Sequence, residues 1–578
     1  MTRTMTLTCA VALAMHAGQD QPPLNAGDAR NSGWQAQEGT VTIRVDTSRR
    51  LGPMTPMWAW FGHDEPNYTY MKDGRKLLSE LAALSPTPVF VRTHNLLTTG
   101  DGTPALKWGS TNAYTEDAQG RPRYDWTIVD RIFDTYMERK MKPLVEIGFM
   151  PEALSTNPVP YRHSWVPGRP YGDIYTGWAY PPKDYGKWRD LVYEWVRHAV
   201  SKYGRGEVES WYWEVWNEPD ISYWRGTREE FMKLYDYAAD GLKRALPTAK
   251  IGGPHVTGPV SQGTQQYLRD FIEHCLRGTN FATGKIGTPL DFVAFHAKGA
   301  PRVMPEGHVR MGVSNQLRAI NNGFAVVASF PELRNVPIVI GESDPEGCAA
   351  CPVSTTPSNA YRNGTMYSSY TAEQIARTYE LADLHKVNLL GSVTWAFEFE
   401  DQPYFYGFRD LATNGVDKPV LNVFRMLGMM AGDRVAVESS GGLPLATVRD
   451  SGVRATADVH ALATRSARSI AVMVWNYHDD DLPGPAAEIA VEIAGAPAGA
   501  KMRQQHFRVD PATSNAYAVW LKMGSPQQPT PAQYAELERS GRLQSVGPDA
   551  TVVPPADGRV TVRLTLPRQG VSLIKLSW

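Results

Sequence analysis

Two glutamates stand where an acid and a nucleophile would be needed. Glu218 falls in W-Y-W-E-V-W-N-E-P (Trp211–Pro219) and Glu342 closes P-I-V-I-G-E (Pro337–Glu342), each at the end of an apolar, strand-like run. Cleaving a glycosidic bond takes one carboxyl group that donates a proton to the leaving oxygen. A second, on the other side of the anomeric carbon, attacks that carbon or activates water. Other apolar runs end in the same kind of residue: His63, Arg92 and His94, Phe149, Asn217, His255, His296 and Lys298, Asp344, Trp395, Glu398, Glu400 and Asp401. An ionisable group closing an apolar strand is unfavourable unless it is paired or working. For any one of these residues a buried structural network explains it as well as catalysis does, whereas the set together points to a reaction. Asn217 can hydrogen-bond a sugar hydroxyl, and Pro219 stops the strand and fixes the loop exit.

The elements that must position these residues follow a rhythm. Apolar runs begin at Met57, Pro88, Lys142, Trp211, Ala249, Asp291, Pro337 and Leu389. Between them lie stretches with apolar residues at three- and four-residue spacing, predicted as helices over Lys76–Leu84, Thr127–Arg139, Tyr185–Tyr203, Arg228–Leu246, Gln265–Cys275 and Thr371–His385. Strand–helix alternation repeated eight times predicts an α/β fold, a (β/α)8 TIM barrel over residues 56–431, whose site forms at the strands' C-terminal ends. An open doubly wound sheet is the alternative, but no Gly-rich nucleotide loop follows the first run. Two long insertions, Pro151–Pro182 and Cys351–Tyr370, leave the catalytic face and either wall a pocket or decorate the surface. From residue 432 to 578 short alternating strands separated by Gly, Pro and Asp predict a C-terminal β-sandwich, with an extended loop and a short helix near Met523–Gln533. Residues 21–55 form an N-terminal segment whose V-T-I-R-V strand is expected to join that sandwich.

At 578 residues the chain exceeds one hydrophobic core of ~250–300 residues, as two domains require. The net charge of -1, from 59 basic and 60 acidic residues, supplies no field for a polyanion, so nucleic acid is not an expected partner and a neutral substrate fits better. No run approaches the ~20 apolar residues that cross a bilayer, so no membrane association is expected. The 17 Trp, 26 Tyr and 17 Phe suit stacking on sugar rings as well as core filling. Residues 1–20, with Arg3 before an apolar stretch and small residues at Ala12, Ala14 and Ala17, read as a signal peptide of a periplasmic or secreted protein. A leader on a cytoplasmic enzyme is the alternative. Cys348 and Cys351 fit a loop disulfide, with metal or redox chemistry as alternatives that lack a second pair. No H-E-x-x-H is present, and neither a metal nor a cofactor is expected. Asn67-Tyr68-Thr69 and Asn363-Gly364-Thr365 match the glycosylation pattern, which also recurs by chance.

Several segments together resemble glycoside hydrolase family thirty-nine, which contains β-xylosidases and α-L-iduronidases. They are V-R-T-H-N-L-L (Val91–Leu97), W-Y-W-E-V-W-N-E-P-D (Trp211–Asp220), G-T-N-F-A-T-G (Gly278–Gly284), F-H-A-K-G-A (Phe295–Ala300), P-I-V-I-G-E-S-D-P (Pro337–Pro345), D-P-A-T-S-N-A-Y-A-V-W (Asp510–Trp520) and M-G-S-P (Met523–Pro526). The resemblance spans most of the chain. It implies Glu218 as acid/base, Glu342 as nucleophile, a retaining mechanism, and Asn217, His94 and His296 as contacts to substrate hydroxyls. The full substrate-binding set expected is His63, His94, Asn217, His296, Lys298, Trp395, Glu400 and Asp401. Lys298 matches the iduronidase pattern, in which a cation pairs with the sugar acid. It could equally neutralise Asp344 or Asp401, and Arg409 could play either part. The expected activity is that of a β-D-xylosidase acting on xylo-oligosaccharides, with an α-L-iduronidase-like or other exo-glycosidase as the alternative and a non-catalytic carbohydrate-binding protein as the remote one.

Overall fold

The computed structural model describes residues 39–578 with the exception of residue 396. The leader read over residues 1–20 lies outside the described residues. The first strand, β1 (Val41–Pro53), stands apart from the barrel. Eight parallel strands then close on one another: β2 (Trp60–His63), β3 (Phe90–Thr93), β4 (Lys142–Ile147), β5 (Tyr212–Val215), β6 (Lys250–Val256), β7 (Phe292–Lys298), β8 (Ile338–Asp344) and β9 (Leu389–Trp395). The last pairs with the first through Val393 and Trp60. These strands are buried on both faces, which is why they read as continuous apolar runs rather than alternating ones.

A helix follows each strand. Five of the six helices named from periodicity lie within three or four residues of their expected bounds; Thr365–His385 begins six residues earlier than Thr371, because a 3-10 turn over Pro357–Asn363 leads directly into it. That shortens the second predicted insertion. The helices after β7 and β9, Val313–Ala328 and Pro419–Gly428, complete the set. Local chemistry fixes their ends. Thr227 and Glu230 form a reciprocal capping box at the start of Arg228–Ala245, whose last turn carries Lys243 and Arg244. Asp184 accepts from the Lys187 N–H at the start of Tyr185–Tyr203, and Gly204 ends that helix with φ +87°.

The second domain is a sandwich built from one mixed sheet. Its strands are β10 (Asp433–Ser439), β11 (Asp458–Arg465), β12 (Ser469–Tyr477), β13 (Ala487–Ala494), β14 (Met502–Val509), β15 (Gln544–Ser545), β16 (Ala550–Val552), β17 (Val560–Leu566) and β18 (Val571–Ser577). With β1 they make ten, in the order β15-β14-β18-β12-β11-β10-β1-β13-β17, β16 lying beside β14. Residues from both ends of this order, Val41, Ile43, Ile489 and Leu564 on one side and Val459, Val472, Ile574 and Leu576 on the other, share one hydrophobic core. β1 pairs antiparallel with β10 and parallel with β13. The segment around Met523 is a loop between two helices, Ala516–Lys522 and Pro531–Gly541. Trp520 and Leu537 of that pair pack on Phe405 and Val416, in the segment that follows β9. Cys348 and Cys351 form a disulfide across a turn, whereas Cys275 is free and buried. Asn67 and Asn363 are both buried, their amides bonded to Ser110 O and Phe405 O, so neither offers a side chain for glycosylation in the folded protein.

Candidate active site

The W-N-E-P segment leaves β5 by a tight reversal in which Trp216 (φ +71°) and Glu218 (φ +43°) both adopt left-handed backbone, a conformation that costs a non-glycine residue energy and persists only where the surroundings enforce it. The Glu218 N–H donates to His255 O at 3.0 Å, which pins the turn to the end of β6. On β8, Gly341 precedes Glu342 because a Cβ there would lie 2.1 Å from His255 Nδ1. The glycine in I-G-E is therefore space for a histidine beside the nucleophile candidate.

Glu218 and Glu342 meet over the barrel mouth. One ligand atom from each of Glu218, His296 and Glu342 lies within 4.8 Å of the others. His296 Nδ1 is 2.9 Å from Glu218 Oε1 and 3.8 Å from Glu342 Oε1. Glu342 Oε1 also takes Arg92 NH1 at 3.1 Å, and its Oε2 accepts from Lys298 Nζ. Burial pushes Glu218 up, the neighbouring Glu342 charge adds to this, and its pKa reaches about 7. Burial acts on Glu342 too, but the Lys298 ammonium and the Arg92 guanidinium more than offset it and hold its carboxyl well below the usual range. Two carboxyl groups a few ångströms apart are thus pushed in opposite directions, one toward the protonated form and one toward the ionised, as an acid and a nucleophile require.

Beneath this pair lies a layer of buried charge centred on Arg92, which is fully buried. Its Nε donates to Glu214 Oε1 at 2.6 Å and one terminal nitrogen to Asn217 Oδ1 at 3.0 Å. The same nitrogen lies 3.1 Å from Glu146 Oε2. His255 Nε2 pairs with the other oxygen of Glu214. His94 is set by Asp64, whose Oδ1 is 2.9 Å from Nδ1, and Asp64 is itself held by Lys107 Nζ at 3.0 Å. The other His94 nitrogen lies 3.0 Å from Arg92 NH1, 3.0 Å from Glu146 Oε2 and 3.6 Å from Glu342 Oε1.

Three glutamates around one guanidinium leave more negative charge than Arg92 can neutralise. Glu214 and Glu342 accept hydrogen bonds from Arg92, whereas Arg92 and His94 come to 3.1 and 3.0 Å from Glu146 Oε2 without the alignment of a hydrogen bond. Burial accordingly drives the Glu146 pKa well up despite Arg92, which favours the neutral acid. Glu146→Gln keeps a neutral group of the same shape, so kcat/KM on a cleaved aryl glycoside is expected to stay within about fivefold, while Glu146→Ala lowers it by about 100-fold. Equal losses in the two variants would mean that the ionised form is needed.

Of the expected substrate contacts, the structure brings His94, Asn217, His296, Lys298 and Trp395 to the pair. Trp395 lies with its ring 4.3 Å from that of His94 and 4.9 Å from the Arg92 guanidinium. His63 is a wall residue: it stacks on Phe397 at 4.1 Å and touches Thr93 and Tyr136, and burial lowers its pKa to about 3. Glu400 and Asp401 are not brought to the pair. Glu400 accepts the Asp73 N–H at 2.8 Å and so caps the helix after β2, and Asp401 is exposed on a turn, its N–H donating to Asn414. The segment after β9 carries them away from the mouth because it turns out to meet the sandwich. Lys298 bonds Asp344 at 2.7 and 2.8 Å as well as Glu342, and Arg409 also pairs with Asp344, at 2.5 Å, settling which acid each cation faces. Glu146 and Glu214 were not among the sequence candidates. Their signal is a single acid inside a run buried on both faces.

The trio Glu218, His296 and Glu342 has the spacing of a cation site. Lys298 and Arg92 already occupy both oxygens of Glu342, however, and a divalent ion there would sit against two positive charges. The trio suits an acid and a nucleophile better than a ligand set.

A profile of the family described as glycosyl hydrolases family 39 matches residues 41–561. The chain is 24% identical to a beta-xylosidase from Caldicellulosiruptor saccharolyticus over 87% of its length and 92% of that protein. It is 25% identical to an alpha-L-iduronidase from Mus musculus over 93% of its length and 81% of that protein. In three dimensions it is similar to the crystal structure of the GH39 enzyme from Xanthomonas axonopodis pv. citri, with a TM-score of 0.71 and 20% identity, covering 95% of this chain and 99% of that one.

Proposed function

Because the chain belongs to the glycosyl hydrolases of family 39, we propose that it is a retaining β-D-xylosidase that releases xylose from xylo-oligosaccharides by double displacement, with Glu218 as acid/base and Glu342 as nucleophile. The observation that carries this reading is the meeting of the two carboxyl groups within 4.8 Å, bridged by His296. Retaining enzymes separate the two groups by ~5–5.5 Å, whereas an inverting pair needs ~6.5–9.5 Å to admit a water between them.

In the first step the Glu218 carboxylic acid gives its proton to the glycosidic oxygen while a Glu342 oxygen forms a bond to the anomeric carbon and the carbon–oxygen bond to the leaving group breaks. The product is a glycosyl ester on Glu342. Esterification removes the Glu342 charge, one of the causes that hold Glu218 high. Glu218, now a carboxylate with a lowered pKa, takes a proton from water as that water's oxygen attacks the anomeric carbon and the ester bond breaks. Two inversions restore the starting configuration.

The pH dependence follows with a definite sign. Glu218 must be protonated in the free enzyme and its pKa lies at about 7, so kcat/KM is expected to fall as pH rises through about 7. The acid limb lies far lower, because Glu342 stays ionised. A pH profile of Glu218→Gln should lose the alkaline limb; its persistence at the same pH would assign that limb to another group.

The choice of a neutral pentose rests on charge. The Lys298 ammonium is taken by Glu342 and Asp344, and Arg409 by Asp344, Glu346 and the Trp395 carbonyl, with Glu346 also pairing with Arg362. Three cations facing three carboxylates leave no spare positive charge for a sugar acid. An aryl β-D-xyloside should therefore be cleaved at least about 100-fold faster than an aryl α-L-iduronide, compared as kcat/KM. The reverse ranking would favour the iduronidase reading, in which Lys298 exchanges an internal partner for the substrate carboxylate.

A further inference from the structure

Away from the barrel mouth, a cavity of about 360 Å³ lies between the helix Val313–Ala328 of the barrel and the segment Leu443–Thr456 that joins β10 to β11. Two arginines line it, Arg318 from the helix and Arg454 from the segment. Most buried or half-buried arginines of this protein are paired with a carboxylate. Among the described residues these two have none within 4.0 Å. Arg318 has one contact, a 3.4 Å approach of NH1 to the Asp450 carbonyl. The Arg454 Nε is buried and has no acceptor at all.

The nearby acids are already used. Asp450 is held by Arg449 through two bonds of 2.7 and 2.8 Å. Asp479 accepts from the Tyr477 hydroxyl at 2.7 Å and from the N–H groups of Val313 and Val453, and Asp480 is gripped by Arg310. Arg318, Arg449 and Arg454 face Asp450 and Asp479 here, so the surroundings of the cavity keep a surplus of one positive charge. Its remaining polar lining is Asp450, whose carboxylate is taken by Arg449, and the hydroxyls of Ser314, Thr447, Ser451 and Thr456. A guanidinium with free N–H groups in a partly desolvated cleft selects an oxyanion, and hydroxyl groups beside it match the donors and acceptors of a polyol. The volume exceeds what a lone oxyanion fills and lies in the range of small-ligand pockets.

We propose that this cavity is a second, non-catalytic site that binds a sugar acid, its carboxylate on Arg318 and Arg454 and its ring hydroxyls on Ser314, Thr447 and Thr456. The site is independent of which glycoside the barrel cleaves.

Titration calorimetry on the full chain at low ionic strength tests it with three probes: D-glucuronate, inorganic phosphate and D-glucose. D-Glucuronate should bind at one saturable site with a Kd of about 1 mM or tighter, and glucose should show no saturation at the same concentrations. Arg318→Gln and Arg454→Gln should each weaken glucuronate by about tenfold or more, while both cleave an aryl glycoside at the wild-type rate. Glu342→Gln should bind glucuronate as the wild type does, which separates this cavity from the barrel mouth. Phosphate binding equal to or tighter than glucuronate would overturn the sugar-acid assignment. Absence of saturable glucuronate binding, equal binding of glucose, or affinity unchanged in both arginine variants would overturn the site altogether.

Discussion

Glu342→Ala is expected to lower kcat for an aryl glycoside by about three to six orders of magnitude, because removing the proposed nucleophile removes the covalent route. Folding should survive the change: Lys298 keeps Asp344, and Arg92 keeps Glu214 and Asn217. Adding azide gives the decisive readout. The small anion can enter the space left by the carboxylate and attack in its place, so Glu342→Ala should regain turnover and yield a glycosyl azide of inverted anomeric configuration. In Glu218→Ala, where the glycosyl ester still forms, azide should instead intercept the ester and give the retained anomer. Swapped stereochemistry between the two variants would exchange the two roles.

Arg92→Met is the second large effect. The guanidinium is fully buried and faces Glu146, Glu214 and Glu342 at 2.6 to 3.1 Å. Removing it leaves buried carboxylates uncompensated, a loss of about 3–5 kcal/mol, and raises the Glu342 pKa because one of the two cations that lower it is gone. A lowered unfolding midpoint together with a kcat/KM reduced by about 1000-fold is expected, with the acid limb of the pH profile moved upward. Arg92→Lys should recover only part of either loss, since Arg92 reaches Glu214, Glu342 and Asn217 through three separate nitrogens and an ammonium has only one. An unchanged midpoint in Arg92→Met would show that the charge layer contributes nothing to stability.

The barrel was legible because its strands are buried on both faces and its helices on one, which writes two different periods into the chain. Tyr185–Tyr203 reads the same in sequence and structure, since a capping aspartate and a terminal glycine punctuate it. Val313–Ala328 left a weaker trace: Val313, Leu317, Ile320, Phe324 and Val327 do recur at helical spacing, but Gly312, Asn321, Asn322 and Gly323 blur the pattern. The facing pair was readable from strand-exit glutamates. Glu400 and Asp401, expected by the same rule, bond Asp73 and Asn414 instead of either glutamate, because they lie several residues beyond the end of β9, where the chain has already turned toward the sandwich. Proximity in sequence to a strand end is a guide only for the one or two residues that still follow the strand direction.

The position of β1 bears on how the molecule is made. On a ribosome this strand emerges early, yet Ile43 must wait for Ser439 and Val41 for Ile489, its partners on either side. Through the synthesis of the whole barrel it has two open edges, the state in which a strand is most prone to pair with the wrong chain. Its outward residues, among them Arg44, Asp46, Ser48 and Arg50, are charged or polar and discourage such pairing. A chain released after residue 431 would carry the complete barrel with this ribbon left unclaimed, so expression of the barrel alone calls for trimming the first fifty or so residues as well.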